Sequence, residues 1–181
     1  RSEYTHYFRR WGCRYLELHA RARRIRIHRA GLIPAEYPFA PAKELCIPDA
    51  LHRRIYELCV NTLKLCAHDH YEDCPWREQA LYAMDSRNQM LCGYYAFGEY
   101  AMPRASLKLL SQSLRADGML ELCAPARIPI TIPSFTAMFL VELQEYVLYS
   151  GDLDFGREML PCARAIADAF CAHVDESGLI P

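Results

Sequence analysis

Asp49-Ala-Leu-His-Arg-Arg-Ile-Tyr-Glu-Leu-Cys-Val-Asn-Thr-Leu-Lys-Leu-Cys66 is the stretch where the hydrophobic period of this chain changes. Leu51, Ile55, Leu58, Cys59, Thr62, Leu63 and Cys66 recur at i, i+4, i+7, i+8, i+11, i+12 and i+15, which is one continuous helical face. Asp49 is a good N-cap for it, because a short carboxylate can accept from the first free N–H groups. Before this point the pattern is different. Residues 4–33 carry no helical stripe, and Tyr15-Leu-Glu-Leu-His19 and Arg24-Ile-Arg-Ile-His28 alternate with the period of two that marks half-buried strands. Between the two regimes, residues 32–48 hold four prolines and read as a linker.

Downstream the helical pattern continues. A polar loop, 68–76, precedes a second helix ending near Tyr100, whose main stretch opens with Ser86-Arg-Asn-Gln89, a capping-box form. Pro103 can open a third helix carrying Leu107, Leu110 and Leu114, stopped by Asp117-Gly118. After an irregular stretch rich in Pro and Ile, Ser134 can cap a fourth helix that runs to Tyr149 and stops at Gly151. A fifth spans about 153–174, with Ala163, Ile166, Phe170 and Val174 on one face, and Pro161 should kink it or split off its first turn.

The composition sets the outer bounds. The chain has 181 residues, 52% hydrophobic and 24% charged, which is enough apolar material for a core. With 21 basic and 22 acidic residues, the net charge of -1 does not favour nucleic acid or an anionic membrane. The local basic run at 21–29 is interrupted by Ile25 and Ile27 at strand spacing and reads as a solvated strand face. No stretch approaches the ~20 apolar residues of a membrane span, and no signal-peptide pattern is present. Nine cysteines, an odd number with no C-x-x-C pair, read as small buried hydrophobes in a reducing compartment, which points to a cytoplasmic location.

The chemistry-bearing stretch is His70-Tyr-Glu-Asp-Cys-Pro-Trp-Arg-Glu-Gln-Ala-Leu-Tyr-Ala-Met-Asp85. It gathers Asp73, Glu78 and Asp85 around Arg77, Trp76 and Tyr82 at a loop-to-helix junction. Carboxylates accept pairs of sugar hydroxyls, an arginine keeps some of them ionised, and an aromatic face stacks on C–H groups. Crowded carboxylates can also leave one protonated to act as a general acid. The residue types alone are better described by an acidic helix N-terminus favoured by the dipole. His68 and His70 could be metal ligands, but no third ligand stands at a recognisable spacing, so no metal is expected. Cys74 has no readable histidine partner and is structural. Tyr94, Tyr95, Phe97 and Tyr100 read as a core stripe or a cleft lining, and the loop 124–133 as a candidate pocket rim.

The order of residues narrows this. Asp73-Cys-Pro-x-Arg-Glu78, followed by Tyr82 and Asp85, resembles the signature of the α-L-rhamnosidases of the six-hairpin glycosidase type, glycoside hydrolase family 78. Pro133-Ser-Phe-Thr-Ala-Met-Phe-Leu-Val-Glu-Leu-Gln-Glu-Tyr-Val-Leu-Tyr-Ser-Gly-Asp152 is similar to that family's helix ending in Tyr-x-x-Tyr-(Thr/Ser)-Gly-Asp. Trp11-Gly-Cys-Arg-Tyr-Leu-Glu-Leu18 is similar to the strand that closes its β-sandwich. The resemblance covers nearly the whole chain and implies a mainly α fold. Residues 1–33 would end a β-sandwich, 34–48 would be a linker, and 49–181 would be the N-terminal, truncated part of an (α/α)6 toroid.

The implied activity is inverting hydrolysis of terminal α-L-rhamnosides, a carbohydrate substrate with no cofactor. Glu78 matches the general acid, Asp73 and Asp85 the carboxylates that bind sugar hydroxyls, and Arg77 the arginine of the same loop, with Trp76 and Tyr82 as further substrate contacts. The base of an inverting pair stands roughly 6.5–9.5 Å from the acid and is expected beyond Pro181. The family usually has Gly-Trp-x-Gly-Asp where this chain has Leu81-Tyr-Ala-Met-Asp85, which puts the exact sugar in doubt more than the acid chemistry. A toroid glycosidase for another terminal sugar, or an inactive carbohydrate-binding helical module, is the alternative.

Overall fold

The computed structural model describes residues 3–7 and 10–180. Five helices follow in order: α1 (Ala50–Leu65), α2 (Ala83–Ala96), α3 (Ala101–Ser111), α4 (Pro133–Ser150) and α5 (Leu153–Ala172). α4 is the hub, packed against α2, α3 and α5, whereas α1 touches α2 alone among the helices. Short connections join α2 to α3 and α4 to α5. The two long loops, 66–82 and 112–132, meet through an antiparallel bridge between Leu81 and Ala124. The core comprises Tyr71, Leu81, Met90, Leu107, Leu110, Phe139, Tyr146, Phe155 and Ile166 with their neighbours.

Several local expectations hold. Asp49 caps α1, accepting from the His52 N–H at 2.8 Å. Gly151 ends α4 in the left-handed region (φ 73°), where a Cβ is costly. Asp152 then caps α5 by accepting from the Phe155 N–H at 3.0 Å, and it also accepts from the Tyr146 hydroxyl at 3.0 Å. The Tyr-x-x-Tyr-Ser-Gly-Asp pattern is therefore a helix–helix corner: Gly151 turns the chain, and Tyr146 and Asp152 lock the turn.

Other expectations are corrected. The inward side of α1 runs through Tyr56, Val60 and Leu63, while Leu51, Ile55 and Leu58 of the expected stripe are exposed. α1 has two apolar flanks, and only one is covered, by α2 and the segment at 37–43. Ser86 does not cap α2. It lies one turn inside the helix, fully buried, with its hydroxyl directed across to α4. α3 begins before Pro103, because the Glu99 carboxylate accepts from the Ala101 and Met102 N–H groups at 2.6 and 3.0 Å. One helix runs from Leu153 to Ala172, so α5 is not split at Pro161. That residue is on the exposed side, where solvent can reach the carbonyl the missing N–H would have engaged.

No strand is formed among the described residues. The alternating segments 15–19 and 24–28 are irregular and exposed on both faces, because a strand needs a neighbouring strand to take its N–H and C=O groups. The proline-rich linker is not loose. Tyr37 N–H donates to the Ala67 carbonyl at 2.9 Å, Lys43 N–H to Ala96 at 2.8 Å, and Phe39 stacks on Phe97 with centroids 4.4 Å apart. The cysteines are also more accessible than expected. All nine are free thiols, but only Cys66 and Cys123 are buried, and Cys13, Cys46, Cys59, Cys92 and Cys171 are exposed.

Candidate active site

The loop between α1 and α2 closes on itself. Asp73 N–H donates to the Ala80 carbonyl at 3.0 Å, and Ala80 N–H donates back to Asp73 Oδ1 at 3.0 Å. Within this clasp, the Gln79 side chain donates to the Pro75 carbonyl at 2.9 Å, and Gln79 itself takes φ 53°, the left-handed region a residue with a Cβ seldom occupies. Such strain persists only where surrounding bonds enforce it, and it is often found at working sites. Here three hydrogen bonds enforce it, and the strained residue directly follows Glu78.

Glu78 is exposed, and its Oε2 accepts from the Tyr82 hydroxyl at 2.6 Å. Ionising that phenol would set two anions in contact, so the hydrogen bond to Glu78 first, then burial, pushes the Tyr82 hydroxyl above its ordinary range. Asp85 sits in the first turn of α2 and is half-buried. Burial first, then the charge of Asp73, and to a smaller extent Glu78, raises its carboxyl above the ordinary range. The Cys123 thiol is pushed up by burial and then by Glu78 and Asp73. These couplings place Asp73, Glu78, Tyr82 and Asp85 in one electrostatic neighbourhood, with the 112–132 loop against it. The edge contact between Tyr82 and Phe135 (centroids 6.1 Å) adds the start of α4 to its wall.

Trp76 and Arg77 are exposed on the same loop. Trp76 packs against Trp11, with centroids 5.8 Å apart and planes tilted by 38°. Asp73 has a structural task the sequence did not announce, since one of its oxygens clasps the loop. The pair of histidines has other work as well: His70 Nδ1 lies 2.7 Å from the Tyr71 carbonyl oxygen, and His68 Nδ1 lies 3.1 Å from Glu72 Oε2. Among the described residues, no group of three His, Cys, Asp or Glu side chains could hold a metal ion.

A family model for the bacterial alpha-L-rhamnosidase 6 hairpin glycosidase domain matches residues 46–170. This chain belongs to that family. Two solved structures agree. The family 78 rhamnosidase of Bacillus sp. GL1 is 30% identical with a TM-score of 0.75, over 80% of this chain and 15% of that one. A rhamnosidase from Klebsiella oxytoca with rhamnose bound is 26% identical with a TM-score of 0.73, over 78% of this chain and 29% of that one. The chain thus spans less than a third of either relative. No curated protein sequence matches it. The rhamnosidase resemblance and the mainly helical six-hairpin fold read from the sequence are both borne out.

Sequence reasoning missed three residues, Arg10 ahead of the six-hairpin domain and Glu72 and Glu142 within it. Arg10, itself partly exposed, forms an ion pair with the buried Glu72 across 62 positions. Glu142 is buried at 1% exposure between α4 and α2. Glu142 did leave a signal, a carboxylate on the same helical face as Phe139 and Tyr146. Arg10 left none, because nothing local says where an arginine in an extended segment will dock.

Proposed function

We propose that this domain carries the acid side of an inverting glycosidase site that releases terminal α-L-rhamnose, with Glu78 as the proton donor. The observation that carries this reading is the Tyr82–Glu78 hydrogen bond within a clasped, strained loop, in a chain of rhamnosidase family. The Tyr82 hydroxyl holds Oε2, so that Oε1 is left to carry the transferable proton. As the glycosidic bond breaks, that proton passes to the leaving oxygen, while water attacks the anomeric carbon from the opposite face. The base that activates this water belongs to polypeptide outside these residues, in keeping with the small share of each relative that the chain spans. Asp85 and the free oxygen of Asp73 accept hydroxyls of the glycone, with Arg77 beside them and Trp76 stacking on a C–H face. The rhamnose bound in the Klebsiella oxytoca relative supports this sugar here. We also assign residues 1–33 to the end of a β-sandwich whose other strands would pair with the two exposed alternating segments.

The test is a leaving-group comparison in the longest natural polypeptide that carries these residues. Glu78→Gln cannot deliver a proton, and losing general-acid help costs roughly 10²–10⁴-fold. That loss should appear on a rhamnosyl disaccharide and be far smaller on a nitrophenyl rhamnoside, whose leaving group needs little protonation. Asp73→Asn should lower both substrates alike. Equal losses on both substrates in Glu78→Gln, or no loss, would remove Glu78 from the role.

A further inference from the structure

Among the described residues, the N-terminal segment meets the helical domain at the acid loop through residues 10–12. Arg10 grips Glu72 with both guanidinium nitrogens: Nη1 donates to Oε2 at 2.9 Å and Nη2 to Oε1. Glu72 is 1% exposed, so this carboxylate has given up water for the arginine. Its backbone is tied as well. Its N–H donates to the Cys66 carbonyl at 2.9 Å, and its carbonyl accepts from Gln89 Nε2 at 2.7 Å. The next residue in the chain is Asp73.

Two positions after Arg10, Gly12 lies under the other arm of the same loop. A Cβ built on Gly12 would stand 2.7 Å from the Pro75 carbonyl oxygen and 3.1 Å from Trp76 Cβ, closer than any side chain tolerates without a shift. Trp11, between them, packs on Trp76. Residues 10–12 therefore brace the loop on both sides, at Glu72 before Asp73 and at Pro75–Trp76 before Arg77 and Glu78. From Cys13 to Ala35 every residue is exposed, so among the described residues before the linker the contact is concentrated at these three.

We propose that Arg10 is a positioning residue for the acid loop: with Gly12 seated beneath Pro75, its two-pronged grip on Glu72 sets where the Glu78 carboxyl stands over the leaving group. The segment ahead of the helical domain is then part of the frame of the active site. This rests on Glu78 being the proton donor. The arginine touches no reacting atom. It acts through Glu72, and misplacing a catalytic group by about an ångström can cost on the order of 10²-fold in rate.

The experiment uses the longest natural polypeptide that carries these residues, with two readouts. The first is the exciton couplet of the Trp11–Trp76 pair, obtained as the far-ultraviolet circular-dichroism difference between the parent and Trp11→Phe. It reports whether residues 10–12 are seated, without reference to activity. The second is kcat and KM on a rhamnosyl disaccharide and on a nitrophenyl rhamnoside. Arg10→Gln should lose the couplet and lower kcat on the disaccharide by roughly 10–100-fold, with a smaller loss on the nitrophenyl substrate and little change in KM. Gly12→Ala, which keeps the ion pair, should move the same quantities in the same direction.

Where Arg10→Gln fails to fold because the buried Glu72 carboxylate keeps only His68 beside it, Arg10→Gln with Glu72→Gln removes both charges and should fold, still without the couplet and still slow. A retained couplet in Arg10→Gln, or a lost couplet with kcat unchanged in Arg10→Gln, the double variant or Gly12→Ala, overturns the proposal. Glu78→Gln measured in parallel separates the two ideas. If it shows no leaving-group contrast, the functional reading falls while the couplet still decides whether Arg10 seats the segment.

Discussion

The Tyr82 hydroxyl donates to Glu78 Oε2 across 2.6 Å, from the N-cap of α2 back to the loop that precedes it. The two residues are four apart but share no helical turn, since the chain between them passes through Gln79 at φ 53°. The bond therefore fixes the orientation of the carboxyl relative to the helix, which the loop backbone alone does not do. Tyr82→Phe keeps the ring against Phe135 and deletes only the donor. Activity on a rhamnosyl disaccharide should fall on the order of tenfold, with a smaller fall on a nitrophenyl rhamnoside and an unchanged Tm. An equal fall on both substrates would mean the hydroxyl serves the sugar and not the acid.

Glu142 should make stability fall as pH rises. It is buried, and burial first, then the charge of Glu145, holds its carboxyl well above the ordinary range, against the lowering effects of Ser86 and Arg87. Ser86 Oγ stands 2.5 Å from Glu142 Oε1 and 3.2 Å from the Ala83 carbonyl oxygen. Ser86 donates to Glu142 Oε1, and a carboxyl held well above its ordinary range retains its own proton in the folded state. Because the folded state keeps this proton at a pH where the unfolded state releases it, stability is full below the unfolded value near 4.5 and declines above it. Glu142→Gln removes the titration. The Tm difference between Glu142→Gln and the parent should move in favour of the variant as pH goes from 4 to 8 (the range, ~4 units, brackets this window). A difference that stays flat with pH would rule out the buried neutral acid.

Gly118→Ala should destabilise the fold. Gly118 has φ 80°, and an added Cβ would come to 2.5 Å from Ala169 Cβ and 3.0 Å from the Ala165 carbonyl oxygen of α5. Backbone strain and the clash add, so a loss of about 1–3 kcal/mol is expected, lowering Tm by several degrees. Thermal denaturation of Gly118→Ala beside Gly98→Ala separates the two contributions. Gly98 has φ 66° with nothing near its Cβ position, so it carries the strain without the clash. Equal losses in the two variants would show that the approach of α5 contributes nothing.

The thiols should divide by accessibility. With all nine free, alkylation of the denatured chain without reductant should label every cysteine. In the native chain Cys13, Cys46, Cys59, Cys92 and Cys171 should react first, and Cys66 and Cys123 last, since burial also pushes both of those thiols up and lowers the fraction present as thiolate. Peptide mapping by mass reads the order. Rapid native labelling of Cys123 would mean that the 112–132 loop does not stay against the acid loop.

Much of the fold was legible because its signals are local. Asp49 capping α1 and Gly151 ending α4 each satisfy backbone groups within about four residues of themselves, and the sequence names them without help from the rest of the chain. The neighbourhood of the candidate site residues was legible for the same reason. Asp73, Glu78, Tyr82 and Asp85 lie on one short loop and the helix it enters, so their order in the chain nearly dictates their neighbourhood. What only the tertiary structure decided are the bonds that cross large separations. Ser86 left its expected capping place because Glu142, 56 positions away, offers a buried partner. The inward face of α1 was decided by which flank α2 and the 37–43 segment cover, and both flanks are apolar. Arg10 found Glu72 across 62 positions. A local pattern records what a residue does to its own turn of backbone. The burial that makes a distant charge pair worth forming exists only once the chain has closed around it.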